Sequence, residues 1–595
     1  MNPITTGTVK YCIVGTGFAG TCALWHLVQR LTDPDRLPSL PPSAIAITTV
    51  EQGPVNGPGY PYAQDNVQLA HRCNNEASTM GIHGNDFVDW MVESKPWLIR
   101  DHPEVVLETH PGIELGEWRP DNGEFYPRAL FGMYLGQRFQ EAVARARAHG
   151  IEVQQYTRHE AVDGCATKEG FSVSLRELDT DREFILDGFD RVLLSTGHWQ
   201  AAAADGLSGH GGYIASPYPP VALKAAVADW IRSRGTRGER PCVFVQGMGP
   251  SGIDAIMTLC SDGEFTYTHD GHVASYQPAT RTGEEPLHVV AGSRSGFFSP
   301  VRGPLADYEL HHLTEESLAA IRRDHQGSLK VERILELLDK DLLRATGGAV
   351  GWNDVKNPRY RSAGEKLASD LRDSYTGNPV YTVLLKARRM RFYNQLEPGD
   401  KSVYDRLLDT HFIRTAVPMP AANAEKLLAL MDAGILTTVR QGYDAPRPEV
   451  GDDGDFLITY RSDDGGRSTL RADGMVRATS QDFGMERHPS PFVQNLLRRG
   501  EIVPHEEGGY VTGGIALDAR GGYRVMKRMG DVCVPSPHLA AYGSPVRFWQ
   551  NEHNYAGAFV KAAEWVADEW LEAAAAAGSE SAADNPGLVS NEIGG

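Results

Sequence analysis

The chain has 595 residues, 41% hydrophobic and 23% charged, the balance of a folded protein of several domains. With 77 acidic and 58 basic residues its net charge is −19, the wrong sign for gripping a nucleic-acid backbone. No run approaches the roughly 20 apolar residues of a membrane-spanning helix, and a strand-like start at Val9 leaves no room for a cleaved leader, so a cytoplasmic protein with neither nucleic-acid nor membrane partner is expected.

The first informative element is an apolar strand from Val9 to Val14, which runs into Gly15-Thr16-Gly17-Phe18-Ala19-Gly20 and then a helical pattern from Thr21 to Leu31. In such a GxGxxG turn Gly15 permits the tight bend, Gly17 lets the backbone approach a pyrophosphate, and Gly20 lets helix and strand pack closely. The helix N-terminus at Phe18 and Ala19 then faces the negative charge. A second strand, Ala44 to Val50, ends in Glu51-Gln52, where a carboxylate suits a ribose hydroxyl; the Pro-rich loop Pro34 to Pro42 absorbs the longer spacing. Helical periodicity covers Pro127 to Ala148, strand-like alternation covers Phe171 to Leu186, and the apolar strand Arg191 to Leu194 ends in Ser195-Thr196-Gly197.

A second strand, turn and helix follows a helical pattern at Val221 to Arg234. Cys242 to Gln246 leads into Gly247-Met248-Gly249-Pro250-Ser251-Gly252 and the helical run Ile253 to Cys260. Two such units in one chain imply two dinucleotide sites. After a polar insertion from Asp262 to Glu285, the strand Leu287 to Ala291 ends in Gly292-Ser293-Arg294-Ser295. Serines and an arginine where an NAD site would place a carboxylate favour the 2′-phosphate of NADPH, with an ordinary surface arginine as the alternative. Further helical patterns cover Leu329 to Ala345, Val380 to Gln395, Ala424 to Ala433 and Gly557 to Ala574, and the Ser-, Ala- and Gly-rich residues 578–595 read as a disordered tail. The seven cysteines are scattered without a CxxC, and no histidine spacing suits a metal, so neither a disulfide framework nor a metal site is expected.

With these residues the chain resembles the two-dinucleotide FAD/NAD(P)-binding oxidoreductases, and among them the flavin-dependent N-hydroxylating monooxygenases, over most of residues 9–575. Gly57-Pro58-Gly59-Tyr60, Asn74 with Ser78-Thr79-Met80, Phe87-Val88-Asp89-Trp90 and Tyr126-Pro127-Arg128 are similar to that family's flavin-side loop and following helix. The finer resemblance is to aspartate N-monooxygenases that form nitrosuccinate in natural-product pathways. The insertion after Gly252 and the helical stretch Leu329 to Gln395 do not match position by position.

The resemblance implies an α/β protein with two Rossmann-like dinucleotide-binding domains, for FAD and NADPH, and a helical insertion. Its expected layout is an FAD domain from 1–235 and 471–577, an NADPH domain from 236–300 and 401–470, and the insertion at 301–400. It implies that oxygen activated at reduced FAD passes to the nitrogen of a small amino acid, with the cofactor carrying the chemistry and the protein supplying few catalytic side chains. A flavin monooxygenase acting on another amine, on sulfur or on a carbonyl stays open, as does a flavoprotein that passes electrons to a partner; association with a second copy is left open too. Disulfide reductase chemistry is disfavoured because Cys73 has no nearby partner cysteine. The expected cofactor contacts are Gly15, Gly17, Phe18, Ala19, Gly20, Glu51, Gln52, Thr196 and Gly197, then Gly247, Gly249, Pro250, Ser251, Gly252, Ser293 and Arg294, and finally Asn554, in the stretch before the last helix. Asn74 and Arg302 are the expected catalytic residues. A small dicarboxylate calls for arginine forks, and Arg72 and Arg302 are the leading candidates, ahead of Arg388, Arg389 and Arg391.

Overall fold

A computed structural model describes residues 8–35, 41–199, 206–234, 240–279, 285–462, 465–479, 484–518, 522–546 and 556–583, and two large sheets organise them. The first has six strands in the spatial order Arg524–Met529, Val532–Ala541, Arg191–Leu194, Val9–Val14, Ile45–Glu51 and Glu152–Thr157. All neighbours are parallel except the antiparallel pair at 524–541, so this sheet is built from both ends of the chain. Its central strand is covered on both sides, which is why it reads as an unbroken apolar run. Tyr11 and Ile13 pack among the helices Phe18–Leu31, Arg128–Ala148 and Ala556–Ala583. Cys12 and Val14 pack against an antiparallel sheet of His159–Thr167, Gly170–Glu177 and Glu183–Phe189.

The second sheet has eight strands centred on Cys242–Gln246, which pairs in parallel with His288–Ser293 on one side and Gly474–Arg477 on the other. Leu436–Arg440 extends it beyond His288–Ser293, and Tyr213–Ile214 extends it beyond Gly474–Arg477. Between His288–Ser293 and Leu436–Arg440 the chain forms a helical segment, including Val331–Ala345, Pro379–Arg389 and Asp409–Ala416, with its own core around Leu338, Leu384 and Phe412. The molecule is therefore α/β, with two Rossmann-like units and a helical insertion.

Several boundaries differ from the sequence reading. The second sheet takes in Tyr213–Ile214, before 236, and Gly474–Arg477, after 470, while the insertion's helices continue to Ala416 rather than ending at 400. Strands of two and four residues are too short for any periodicity, and only their non-local pairing assigns them. Phe171 to Leu186 is divided between two strands, and the polar run after Asp262 folds into a hairpin of Glu264–Tyr267 with Val273–Gln277. The expected helix to Gln395 stops at Arg389: Arg391 takes φ 51°, and a single 3-10 turn follows at Tyr393–Gln395. The last helix runs to Ala583, so 578–583 continues the helix that the alanine run 573–577 favours. Residues 584–595 lie outside the described residues.

Candidate functional site

The first turn joins strand Val9–Val14 to helix Phe18–Leu31 under severe steric limits. Gly15 has φ +91°, and a Cβ there would lie 2.4 Å from the Ser195 carbonyl oxygen; one at Gly20 would lie 2.0 Å from the Gly15 carbonyl oxygen. Ser195, which no motif singled out, donates its hydroxyl to the Gly15 carbonyl at 2.7 Å and holds the turn from behind. Gly17 has a second reason to be glycine besides phosphate access: a Cβ there would sit 3.3 Å from Gly59 Cα, so the Gly57-Pro58-Gly59 loop lies directly over the turn.

Gly17 is the N-cap of the helix and no side chain caps it, which leaves the amides of Phe18, Ala19 and Gly20 for an anion. Glu51 is buried at its strand end. Its Oε2 accepts from the Thr16 amide and hydroxyl, both at 2.9 Å, and its Oε1 from the Gly53 amide at 2.9 Å, with lone-pair capacity left for a ribose hydroxyl. Gln52 is exposed next to it in the chain, Thr196 is exposed at the end of Arg191–Leu194, and Gly197 takes φ +74° with nothing within 4 Å of its Cβ position among the described residues. Uncapped amides, a glycine-lined approach and a strand-end carboxylate fit a dinucleotide such as FAD.

The second turn repeats the outer constraints, and among the described residues none covers it as Gly59 covers the first. A Cβ on Gly247 would lie 2.2 Å from the Ala478 carbonyl oxygen, and one on Gly252 would lie 2.1 Å from the Gly247 carbonyl oxygen, whereas Gly249 has nothing within 4 Å. Pro250 occupies the first helical position and no side chain caps the helix, so the amides of Ser251 and Gly252 are available. At the end of the neighbouring strand, Ser293 Oγ accepts from the Gly296 amide at 3.0 Å. Arg294 is exposed, donates to Thr410 Oγ1 at 2.7 Å and lies 5.2 Å from the centre of the Tyr443 ring. Burial and the nearby Arg414, Arg294 and Lys356 push His411 down to about 4, so the surroundings of Arg294 are cationic and suit a phosphate dianion.

A narrow crevice of about 10 Å³, room for about one water, lies between the two units, and Asn74 and Arg128 from the first line it together with Pro250, Asp254 and Asn423 from the second. Asn74 is thus brought against the second-turn helix. At the crevice, Arg128 Nη1 pairs with Asp254 Oδ2 at 2.6 Å, and the Tyr218 hydroxyl donates to the same oxygen at 2.5 Å. Sequence reasoning missed Asp254 and Tyr218, since neither sits in a motif position.

Arg72 also lines the crevice. Its Nη1 donates to the Phe125 carbonyl at 3.0 Å and its Nη2 to the Glu108 carbonyl, so main chain engages both Nη groups, while its buried Nε has no hydrogen-bond partner among the described residues. Arg302 lies outside the crevice's lining. It is tied to it through its amide, which donates to the Met419 carbonyl at 2.8 Å, while its guanidinium reaches the Tyr381 hydroxyl at 3.0 Å and Glu76 at 3.9 Å. Asn554 lies outside the described residues. All seven cysteines are free, and burial pushes the Cys73 thiol up to about 12, the opposite of a reactive thiolate.

Residues 12–199 match the family model described as FAD-NAD(P)-binding, which covers the whole first turn and the strand end that locks it. Nitrosuccinic acid synthase of Aspergillus oryzae is 26% identical over 89% of this chain and 87% of its own length. An L-aspartate N-monooxygenase (nitrosuccinate-forming) of Streptomyces cremeus is 26% identical over 74% of this chain and 75% of its own length. Among solved structures, the reduced form of an ornithine hydroxylase of Pseudomonas aeruginosa aligns over 95% of this chain and 99% of its own, with a TM-score of 0.48 and 12% identity.

Proposed function

Starting from a chain whose residues 12–199 carry an FAD/NAD(P)-binding domain, we propose an FAD- and NADPH-dependent monooxygenase that oxygenates the nitrogen of a small amino acid, L-aspartate to nitrosuccinate first, in natural-product biosynthesis. The observation that carries this reading is the pair of uncapped glycine turns in two sheets whose units share one crevice, with Asn74 beside the second-turn helix. Two relatives named for that reaction, alike over most of the chain, support the substrate.

FAD, when bound, supplies the redox chemistry, accepting electrons from NADPH and activating oxygen. The chain's own part is to hold and exclude. The amides of 18–20 and the Glu51 carboxylate would hold FAD; the amides of Ser251 and Gly252, with Arg294, would hold NADPH. Asn74 offers an amide in the crevice, able to donate to a substrate carboxylate or accept from its amine. Arg302 is half-buried between Glu76, Phe125 and Tyr381, and its fork would orient a carboxylate at the edge of the crevice.

The test is incubation of the purified protein with FAD, NADPH, oxygen and a panel of amino acids, measuring oxidised product and hydrogen peroxide per NADPH consumed. Aspartate should couple. Arg302→Lys, which keeps the charge and loses the planar fork, should shift the ratio toward peroxide while NADPH still reduces the flavin. Coupling with ornithine or lysine alone would remove aspartate and keep the class; peroxide with every amine would remove the class.

A further inference from the structure

Among the described residues, four ion pairs cross from the first unit to the rest of the chain: Arg128 with Asp254, Glu108 with Lys426, Glu76 with Arg302, and Glu507 with Lys401. Among them, the first is the pair in which both side chains are less than a tenth exposed, at 9% and 3%. A buried ion pair is a poor device for stability, because desolvating two charges offsets most of their attraction and a packed apolar pair does as well or better. What it supplies is direction, and here the directional bonds converge on one short helix.

We propose that Arg128 and Asp254 form an alignment latch that fixes the orientation of the second-turn helix against the first unit, and with it the register in which NADPH meets FAD. The identity of the two ligands rests on the proposed function; the latch itself rests on the contacts. Helix Pro250–Leu259 is gripped at Asp254 and at Thr258, one turn apart on one face. Arg128 holds Asp254, while the His71 Nε2 lies 3.0 Å from Thr258 Oγ1 and 3.2 Å from the Asp254 carbonyl oxygen. His71 Nδ1 accepts from the Gln68 amide at 3.3 Å, so Nε2 carries the proton and donates; burial keeps this ring neutral by pushing its pKa down.

Arg128 is itself fixed, its Nε donating to the Arg72 carbonyl at 3.0 Å and its amide to the His71 carbonyl at 2.8 Å. Tyr218, in the segment connecting the units, closes the third side on Asp254 Oδ2. Two grips along a helix set both its tilt and its rotation. Turning one unit against the other would break these bonds together and leave a carboxylate buried without partners. Arg128 and Asp254 are therefore positioning residues: they touch each other, and act on the hydride donor through the helix that carries its phosphate-binding turn.

The test uses the full chain with FAD bound. The double variant Arg128→Met/Asp254→Leu replaces the pair by apolar side chains and should fold and bind NADP+ as the wild type does, with a Tm lowered only by the loss of partners for the Tyr218 hydroxyl and the Arg72 carbonyl. Flavin reduction by saturating NADPH, followed anaerobically by stopped flow, should slow roughly a hundredfold, the size of effect that a misplacement of about 1 Å produces. Reduction by dithionite should be unaffected. Arg128→Lys should recover part of the rate, and hydrogen exchange in residues 250–259 should quicken in the double variant. A folded double variant with wild-type reduction and wild-type exchange would overturn the latch. Should the double variant not fold, Asp254→Asn, which keeps the shape and removes the charge, serves instead, and wild-type reduction and exchange there overturn the latch equally. Should NADPH fail to reduce even the wild type, the proposed function falls and exchange at 250–259 alone decides the latch.

Discussion

The two glycine turns are alike at their outer glycines and differ at the middle one. Gly15 and Gly247 each bend away from a carbonyl on the neighbouring strand, Ser195 in the first case and Ala478 in the second, and Gly20 and Gly252 each lie against the turn's own first carbonyl. Gly17, however, is roofed by Gly59, while a Cβ on Gly249 would meet nothing within 4 Å among the described residues. The outer positions serve the fold. Under the proposed function, the roofed turn would suit a nucleotide that stays bound through many turnovers and the other a coenzyme that enters and leaves in each.

The largest effect expected from this contrast is one the two turns share. Gly20→Ala and Gly252→Ala each drive a methyl into backbone, and both should lose about 4 kcal/mol or more of stability, seen as loss of soluble, cooperatively melting protein. Arg294→Ala comes next: losing a charge-assisted phosphate contact, about 1.5–3 kcal/mol, should raise the Michaelis constant for NADPH ten- to a hundredfold with little change for NADH. Equal effects on the two coenzymes would take Arg294 out of the phosphate site.

The middle glycines separate the turns. Gly17→Ala must push the Gly59 loop aside, costing roughly 1–3 kcal/mol, and should purify with little flavin. Gly249→Ala should keep the flavin and its stability to within about 1 kcal/mol, yet bind NADP+ more weakly in calorimetry. Full flavin occupancy in the Gly17 variant would break the assignment of the covered turn. The smallest effect belongs to His411, near Arg294 and Arg414. Its folded pKa, about 4, lies below the ordinary 6.5, so the unfolded chain binds the extra proton and stability falls as pH drops from about 6.5 to 4. His411→Gln should flatten that slope by on the order of 1 kcal/mol in denaturant titrations, and an unchanged slope would show that the ring is not held neutral.

Both turns were legible because their signal is local: an apolar run, glycines at fixed offsets and a helical period within about 25 residues. The same locality explains what stayed hidden. Arg72 shows its charge in the sequence and hides its partners, since Glu108 and Phe125 lie 36 and 53 positions away. Arg128 could be named from the Tyr126-Pro127-Arg128 resemblance, but its pairing with Asp254 spans two sheets and leaves no trace in either neighbourhood. Gly474–Arg477 became part of the second sheet through register with Cys242–Gln246, a fact that four residues cannot encode alone.

The first sheet's use of both chain ends sets an order of assembly. Val532–Ala541 pairs with Arg191–Leu194, and the helix starting at Ala556 packs on the strand that carries the first turn. At about 5–20 residues per second, a ribosome takes roughly half a minute to two minutes to make the intervening chain. The second sheet, whose strands are complete by Arg477, can close while the earlier-made flavin unit still waits for its last strand. The strands made early, Val9–Val14 and Arg191–Leu194, thus wait for Val532–Ala541 before their sheet is complete.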